Sequence, residues 1–217
     1  MPDILNTYVY SSEFEKRLKE KFSKTGINHS NWGDEDISDI RSSIREFYRN
    51  EQKTKCSYCK QNVSIQSASN CQVEHIVAKS QHFEFIFEPK NLCVICADCN
   101  EIKRNQEVLN ELPIVTIKSK IKNYPRSSNA FKIVHPHFDN YDEHLLIING
   151  FYFDKSTKGG YTIVFCNLNR RLHKLGYENP IFSDIQLMEL MRAYLTEVDA
   201  LKKIYILKRL REMLVLI

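Results

Sequence analysis

No run of apolar residues in this chain approaches the length of a membrane span, so a transmembrane helix is not expected. The first residues, Met1-Pro2-Asp3-Ile4, lack the basic-then-apolar pattern of a secretory signal, and a cytoplasmic location is the expectation. No internal repeat is visible, which sets aside solenoids and arrays. A large excess of one charge is also missing: 31 Lys and Arg stand against 27 Asp and Glu, a net charge of +4. That balance permits a nucleic-acid partner without arguing for one. What is present is a chain of 217 residues, 42% hydrophobic, long enough to bury a real core as one domain with elaborations. It has seven cysteines, which in a cytoplasmic protein are more often metal ligands than disulfides.

The stretch from Cys56 to Lys103 organises the rest. It runs Cys56-Ser57-Tyr58-Cys59, Glu74-His75-Ile76, Asn91-Leu92, Cys96-Ala97-Asp98-Cys99-Asn100 and Lys103. Two Cys-x-x-Cys pairs suit a closed tetrahedral zinc site that takes no part in chemistry. Cys93 also stands in a Cys-x-x-Cys with Cys96, so spacing alone leaves the second pair open. Cys71, Cys93 and Cys166 are expected as buried free thiols. Glu74, His75, Asn91 and Asn100 are oxygen and nitrogen donors suited to a hard divalent ion and to proton transfer. His75 is the natural base, because an imidazole titrates near neutrality. On a strand, however, Glu74 and His75 point to opposite faces, so clustering them calls for a bend or bulge. A zinc ribbon that binds nucleic acid or protein without cutting would explain the cysteines, but it does not require the acid, the histidine and the asparagines at these spacings.

In that order of motifs the segment resembles the HNH endonucleases, the ββα-metal group of nucleases. The resemblance selects Cys56, Cys59, Cys96 and Cys99 as ligands of a structural zinc. It implies Glu74 and Asn100 as ligands of a catalytic magnesium, with manganese as a substitute. It makes His75 the residue facing the attacking water, and Asn91 the residue that braces the loop and orients the histidine. Many members carry Asp or His where Glu74 stands, and the stretch from His75 to Asn91 lacks the glycines often found there. Lys103 and Arg104 are candidates for contacting phosphate, the plainer reading being a solvated helix face. The implied activity is metal-dependent phosphodiester hydrolysis, with DNA as the expected substrate.

The flanks frame this core. Residues 11 to 24 read as a helix, with Phe14, Leu18 and Phe22 at helical spacing and Gly26 ending it. Residues 36 to 50 read as a second helix, with Ile37, Ile40, Ile44 and Phe47 on one face. Both suit a packing subdomain, with Trp32 in the loop between them. A strand over 71 to 77, a second over Asn91 to Ile95 and a helix over Glu101 to Leu109, with Asn100 at its start, make a ββα unit. From Pro113 to His144 the chain is irregular. Leu145 to Phe153 and Tyr161 to Phe165 read as a β-hairpin, turning through Lys155 to Gly160. A short basic turn from Asn169 is expected to end at Gly176. A capping box at Ser183 opens a helix that runs to the apolar terminus. The fold class is therefore α+β. The expected divisions are a helical region over 1–52, the nuclease core over 53–112 and a C-terminal extension over 113–217.

A looser resemblance covers the tail. His135-Pro136-His137-Phe138-Asp139-Asn140-Tyr141, His144-Leu145, Lys158 to Ile163 and Leu168-Asn169-Arg170 look like the PtuB-type HNH effectors of Septu and retron anti-phage systems. That likeness implies a PtuA-type ATPase as partner and, in the retron context, a reverse transcriptase with its RNA–DNA product. His135, His137 and His144 are read as structural hydrogen-bonding groups.

Overall fold

The computed structural model describes residues 1–110, 123–148, 150–171 and 185–215. The chain forms two compact units, one of Met1–Leu146 with Phe153–Leu168, the other of Ile147–Tyr152 with Asn169–Ile217.

The first unit opens with α1 (Ser12–Phe22), capped by the Ser11 hydroxyl accepting from the Phe14 amide. The helix ends at Phe22, and Gly26 sits four residues beyond it at φ +84°, in a turn rather than at the cap. Two 3-10 turns, His29–Gly33 and Glu35–Ile37, lead into α2 (Ser38–Glu51). Its buried face is Ile40, Ile44 and Tyr48; Phe47, expected there, is only half-buried. That face packs against the sheet formed by β1 (Gln72–His75) and β2 (Leu92–Ile95). The strands are antiparallel, pairing Gln72 with Ile95 through His75 with Leu92.

Two strands alone are marginal in water, and buried backbone groups must find partners. Here side chains take the place of a third strand. The Gln52 amide accepts from Val94 N (2.7 Å) and donates to Val94 O (2.8 Å). His137 Nε2 donates to Leu92 O (2.8 Å). Both residues come from outside the ββα unit, so the flanks hold the central sheet.

The helix α3 (Ala97–Lys103) completes that unit. It starts four residues earlier than expected and ends six earlier, because Cys96 takes the N-cap position and Arg104 turns to φ 47°. Asn100 therefore sits one turn inside the helix rather than at its start.

The C-terminal half departs further from expectation. A single turn, α4 (Tyr141–His144), is followed by β3 (Leu145–Ile148) and β4 (Phe151–Asp154), which pair with each other. The hairpin thus closes near Gly150, at φ +83°, and not through Lys155 to Gly160. Tyr161 to Phe165, expected as a strand, belongs to the helix α5 (Thr157–Phe165), opened by the Ser156 hydroxyl accepting from Gly159 N. A side chain at Gly159 would collide with the His144 carbonyl, so glycine there serves close packing rather than a turn.

In the second unit the expected single long helix is two, α6 (Ile185–Thr196) and α7 (Ala200–Val215), packed on each other. Tyr194 and Leu210 are buried, whereas Val198, Leu201, Ile204 and Tyr205 are exposed. The expectations for Pro113, Gly176, the Ser183 cap and the packing of the final side chains lie outside the described residues. No helix among the described residues is long and apolar enough to cross a membrane.

Candidate active site

The cysteines come first. Cys56 and Cys59 lie on a tight turn in which Lys60 N donates to Cys56 O (3.0 Å) and Cys56 N to Gln61 O (2.9 Å). Lys60 takes φ 57° to close it. Cys96 and Cys99 lie at the start of α3. The four sulfurs are all buried and within 4.8 Å of one another, with Cys59 and Cys96 Sγ 3.6 Å apart. Zinc–sulfur bonds of about 2.3 Å in a tetrahedron require edges of about 3.8 Å, so the cluster fits zinc. Hydrogen bonding with the Cys56 thiol lowers Cys59 to about 7, which favours a thiolate. Cys93, the alternative ligand, is not in the cluster, and burial pushes its thiol up to about 12. Cys71, Cys93 and Cys166 are buried and form no disulfide among the described residues.

A cleft of about 670 Å³ is lined by Glu74, His75, Asn100 and Arg104 together with Trp32, Arg41, Arg45 and Lys79. Glu74 and His75 reach it without a bulge. The register runs unbroken and the strand ends at His75.

His75 is buried, and its Nε2 donates to the Ile86 carbonyl at 3.0 Å. A carbonyl can only accept, so Nε2 carries the proton and Nδ1 keeps its lone pair. Burial, with Lys79 nearby, lowers the imidazole to about 3. The ring is therefore neutral at physiological pH rather than titrating near neutrality as expected, and the same burial makes it a weaker base than a free imidazole. Trp32 stands edge-on to it, ring centres 4.5 Å apart.

Asn91 is fully buried. Its side-chain oxygen accepts from Val77 N (2.7 Å), and its amide donates to Val77 O (3.1 Å) and Phe85 O (3.0 Å). It thereby ties together the two ends of the loop that presents the Ile86 carbonyl to His75.

Glu74 and Asn100 offer one hard oxygen each. Glu74 Oε1 is taken by Lys103 Nζ (2.5 Å), with the Tyr58 hydroxyl at 3.5 Å, which leaves Oε2 without a partner among the described residues. Asn100 donates its amide hydrogen to Gln72, so its carbonyl oxygen is the free end. Two such oxygens match the way magnesium is held, by one or two protein ligands with the remaining positions left to water and phosphate.

Lys103 is neither on a solvated face nor placed to meet phosphate. It is fully buried, bonded to Glu74 and reaching His75 O at 3.3 Å. Arg104 does line the cleft, but it is exposed and paired with Glu101.

The cleft also holds groups that the sequence reading left in a packing role. Arg41, Arg45 and Trp32 come from the N-terminal helices, and Lys79 from the loop after β1. The signal was present in Arg41, Arg45 and Arg49, spaced by four, which puts three arginines on one stripe of α2.

His135, His137 and His144 do not line the cleft. His135 Nδ1 accepts from His137 N (3.2 Å), and its Nε2 bonds the Tyr124 hydroxyl (2.8 Å). His144 Nδ1 bonds the Ser156 hydroxyl (2.7 Å). Their hydrogen bonds run to other parts of the same unit.

No curated protein and no solved structure matches the chain. The zinc-compatible cluster, the two strands with α3, and the cleft beside them all fall within or against one segment, and that segment, residues 56–106, matches the family model described as HNH endonuclease.

Proposed function

We propose that this protein is a metal-dependent endonuclease that hydrolyses phosphodiester bonds, with DNA as its substrate. The observation that carries the reading is the state of His75. It is a neutral imidazole whose Nδ1 is free, in a cleft shared with Glu74 and Asn100, inside a segment that matches the nuclease family. His75 Nδ1 takes the proton of a water as it attacks phosphorus, and the Ile86 carbonyl holds the ring in the right tautomer. Asn91 keeps that carbonyl in place. Glu74 Oε2 and the Asn100 carbonyl are the groups that would hold a magnesium or manganese ion, which would supply charge neutralisation at the phosphoryl and departing oxygens. Cys56, Cys59, Cys96 and Cys99 would hold zinc at the start of α3, next to Asn100.

The test is cleavage of plasmid DNA with added magnesium, comparing the wild type with His75→Ala. Loss of cleavage in a variant that stays folded supports the reading. Equal cleavage by both overturns it.

The finer reading is an effector of a bacterial anti-phage complex, working beside a PtuA-type ATPase that restrains or triggers it. The likeness of the tail to PtuB-type effectors supports it. So do the exposed apolar side chains of α6 and α7, which are costly to leave in water.

A further inference from the structure

Four cationic side chains line the cleft, and they are not equivalent. Arg104 is paired with Glu101. Arg41 donates to the carbonyls of Trp32 (2.7 Å) and Asp34 (2.5 Å), which fixes its guanidinium. Arg45 and Lys79 are different. Arg45 makes one long contact, NH1 to the Ser42 hydroxyl at 3.5 Å, and its Nε is buried with no partner. Arg45 has no carboxylate partner among the described residues, whereas the charge of Glu74 acts on Lys79. Cys71 lies near Arg45, but burial pushes its thiol up, so it stays neutral and offers no counter-charge. Arg41 and Arg49, one turn away on either side, are like charges, and such spacing on a helix destabilises it.

A half-buried guanidinium with an unpartnered Nε and no anion beside it carries a cost that a purely structural arginine would not. The arrangement becomes favourable only when something brings negative charge into the cleft. Phosphate suits it best, because a guanidinium fork matches two phosphate oxygens at once. Arg45 also lines the same cleft as His75 and Glu74, where the strand to be cut must lie.

We infer that Arg45, supported by Lys79, binds the phosphodiester backbone of the substrate strand, so that the N-terminal helical region adds an anchor to the nuclease segment. The inference rests on the nuclease reading for the identity of the anion. The contact is to phosphate and not to bases, so it discriminates little between sequences.

The test measures binding apart from cleavage. His75→Ala protein, with no added divalent ion, is titrated against a labelled DNA duplex, a single DNA strand and an RNA strand over a salt series. Arg45→Gln, which keeps most of the side-chain stem, is compared in that background, with Arg45→Lys as the charge-retaining variant. The expected result is an affinity loss on the order of tenfold for Arg45→Gln on all three ligands, with the slope against log salt reduced by about 1. Arg45→Lys falls between parent and Arg45→Gln. The melting temperature of Arg45→Gln stays level or rises, because like-charge repulsion is relieved. Unchanged affinity and slope in a folded Arg45→Gln protein overturn the inference, even where wild-type cleavage depends on His75. A loss confined to one base sequence also overturns it. A loss of binding on all three ligands in a protein whose cleavage ignores His75 leaves the phosphate site standing and removes the catalytic reading alone.

Discussion

A single buried lysine decides how the acid of the motif is held. Lys103 is fully buried, and its ammonium is spent on Glu74 and the His75 carbonyl. Removing one member of such a pair strands the other, which typically costs about 3–5 kcal/mol. Lys103→Met is therefore expected to lower unfolding free energy by that order in chemical denaturation, whereas a solvated lysine would change it by about 0.5 kcal/mol or less. His75→Ala should behave in the opposite way. Cleavage is expected to fall by roughly 10²–10⁴, the usual worth of a positioned base, while leaving the buried Ile86 carbonyl unpartnered costs about 1–3 kcal/mol.

Two further histidines set an acid limit. Burial lowers His137 to about 4, and it lowers His135 well below its ordinary value. Lys90 acts in the same direction on both, and Lys158 on His135, while the bond to Leu92 O and the charge of Glu51 oppose it at His137. In the unfolded chain both titrate near 6.5, so below that pH the unfolded state binds more protons and stability falls. The contribution is complete above about pH 6.5 and is lost as the pH drops towards 4, at up to about 1.4 kcal/mol per pH unit for each group. Melting temperature measured from pH 7 to 4 should show the decline, and His137→Gln should flatten it.

Among the elements, α3 joins the two centres. In seven residues it carries the zinc-side Cys99, the cleft-side Asn100 and the buried Lys103, with Cys96 capping it. A helix this short is unstable alone. Cys96→Ser is thus expected to lower thermal stability sharply and to abolish cleavage, since a structural zinc is worth on the order of 10 kcal/mol to a small motif. Metal analysis should find one zinc per chain in the wild type. Equal destabilisation by Cys96→Ser and His75→Ala would contradict the division between a folding centre and a reacting centre.

The ββα unit was legible in the sequence because its signals are local: paired cysteines, and a short apolar run from Leu92 between Pro89 and Cys96. The boundaries of α3 were not, because Asn100 looked like a cap while the true cap is a cysteine with no side-chain cap bond. The β-hairpin was misplaced for a different reason. Two glycines beside Lys158 read as a turn, but Gly159 answers to a tertiary neighbour, the His144 carbonyl, and no local pattern reveals that. The helix α5 looked like a strand because it exposes Tyr161 and Val164 as well as burying Thr162. In the cleft, His75, Glu74 and Asn100 stand in a motif whose family resemblance names them. Arg45 could not be named that way, because its importance comes from partners it does not have.

At the scale of the whole molecule, the nuclease segment depends on what surrounds it. Gln52 and His137 complete its sheet from outside, and Tyr48 donates to the Pro89 carbonyl (2.6 Å) at the entry to β2. The second unit presents Val198, Leu201, Ile204 and Tyr205 to solvent. Under the proposed partnership with an ATPase, Leu201→Asp together with Ile204→Asp should abolish co-purification with the neighbouring gene product while leaving the melting of the zinc-bearing unit unchanged. A monomer fully active and indifferent to any co-expressed ATPase, shown by light scattering and cleavage, would rule the partnership out.

The chain has one tryptophan, and it stands edge-on to His75. Its ultraviolet emission is consequently a built-in optical reporter from the cleft, with no second indole to blur the signal. Loading of the cleft can be followed in unlabelled protein as a change in intensity or colour, on the millisecond scale of a stopped-flow mixer.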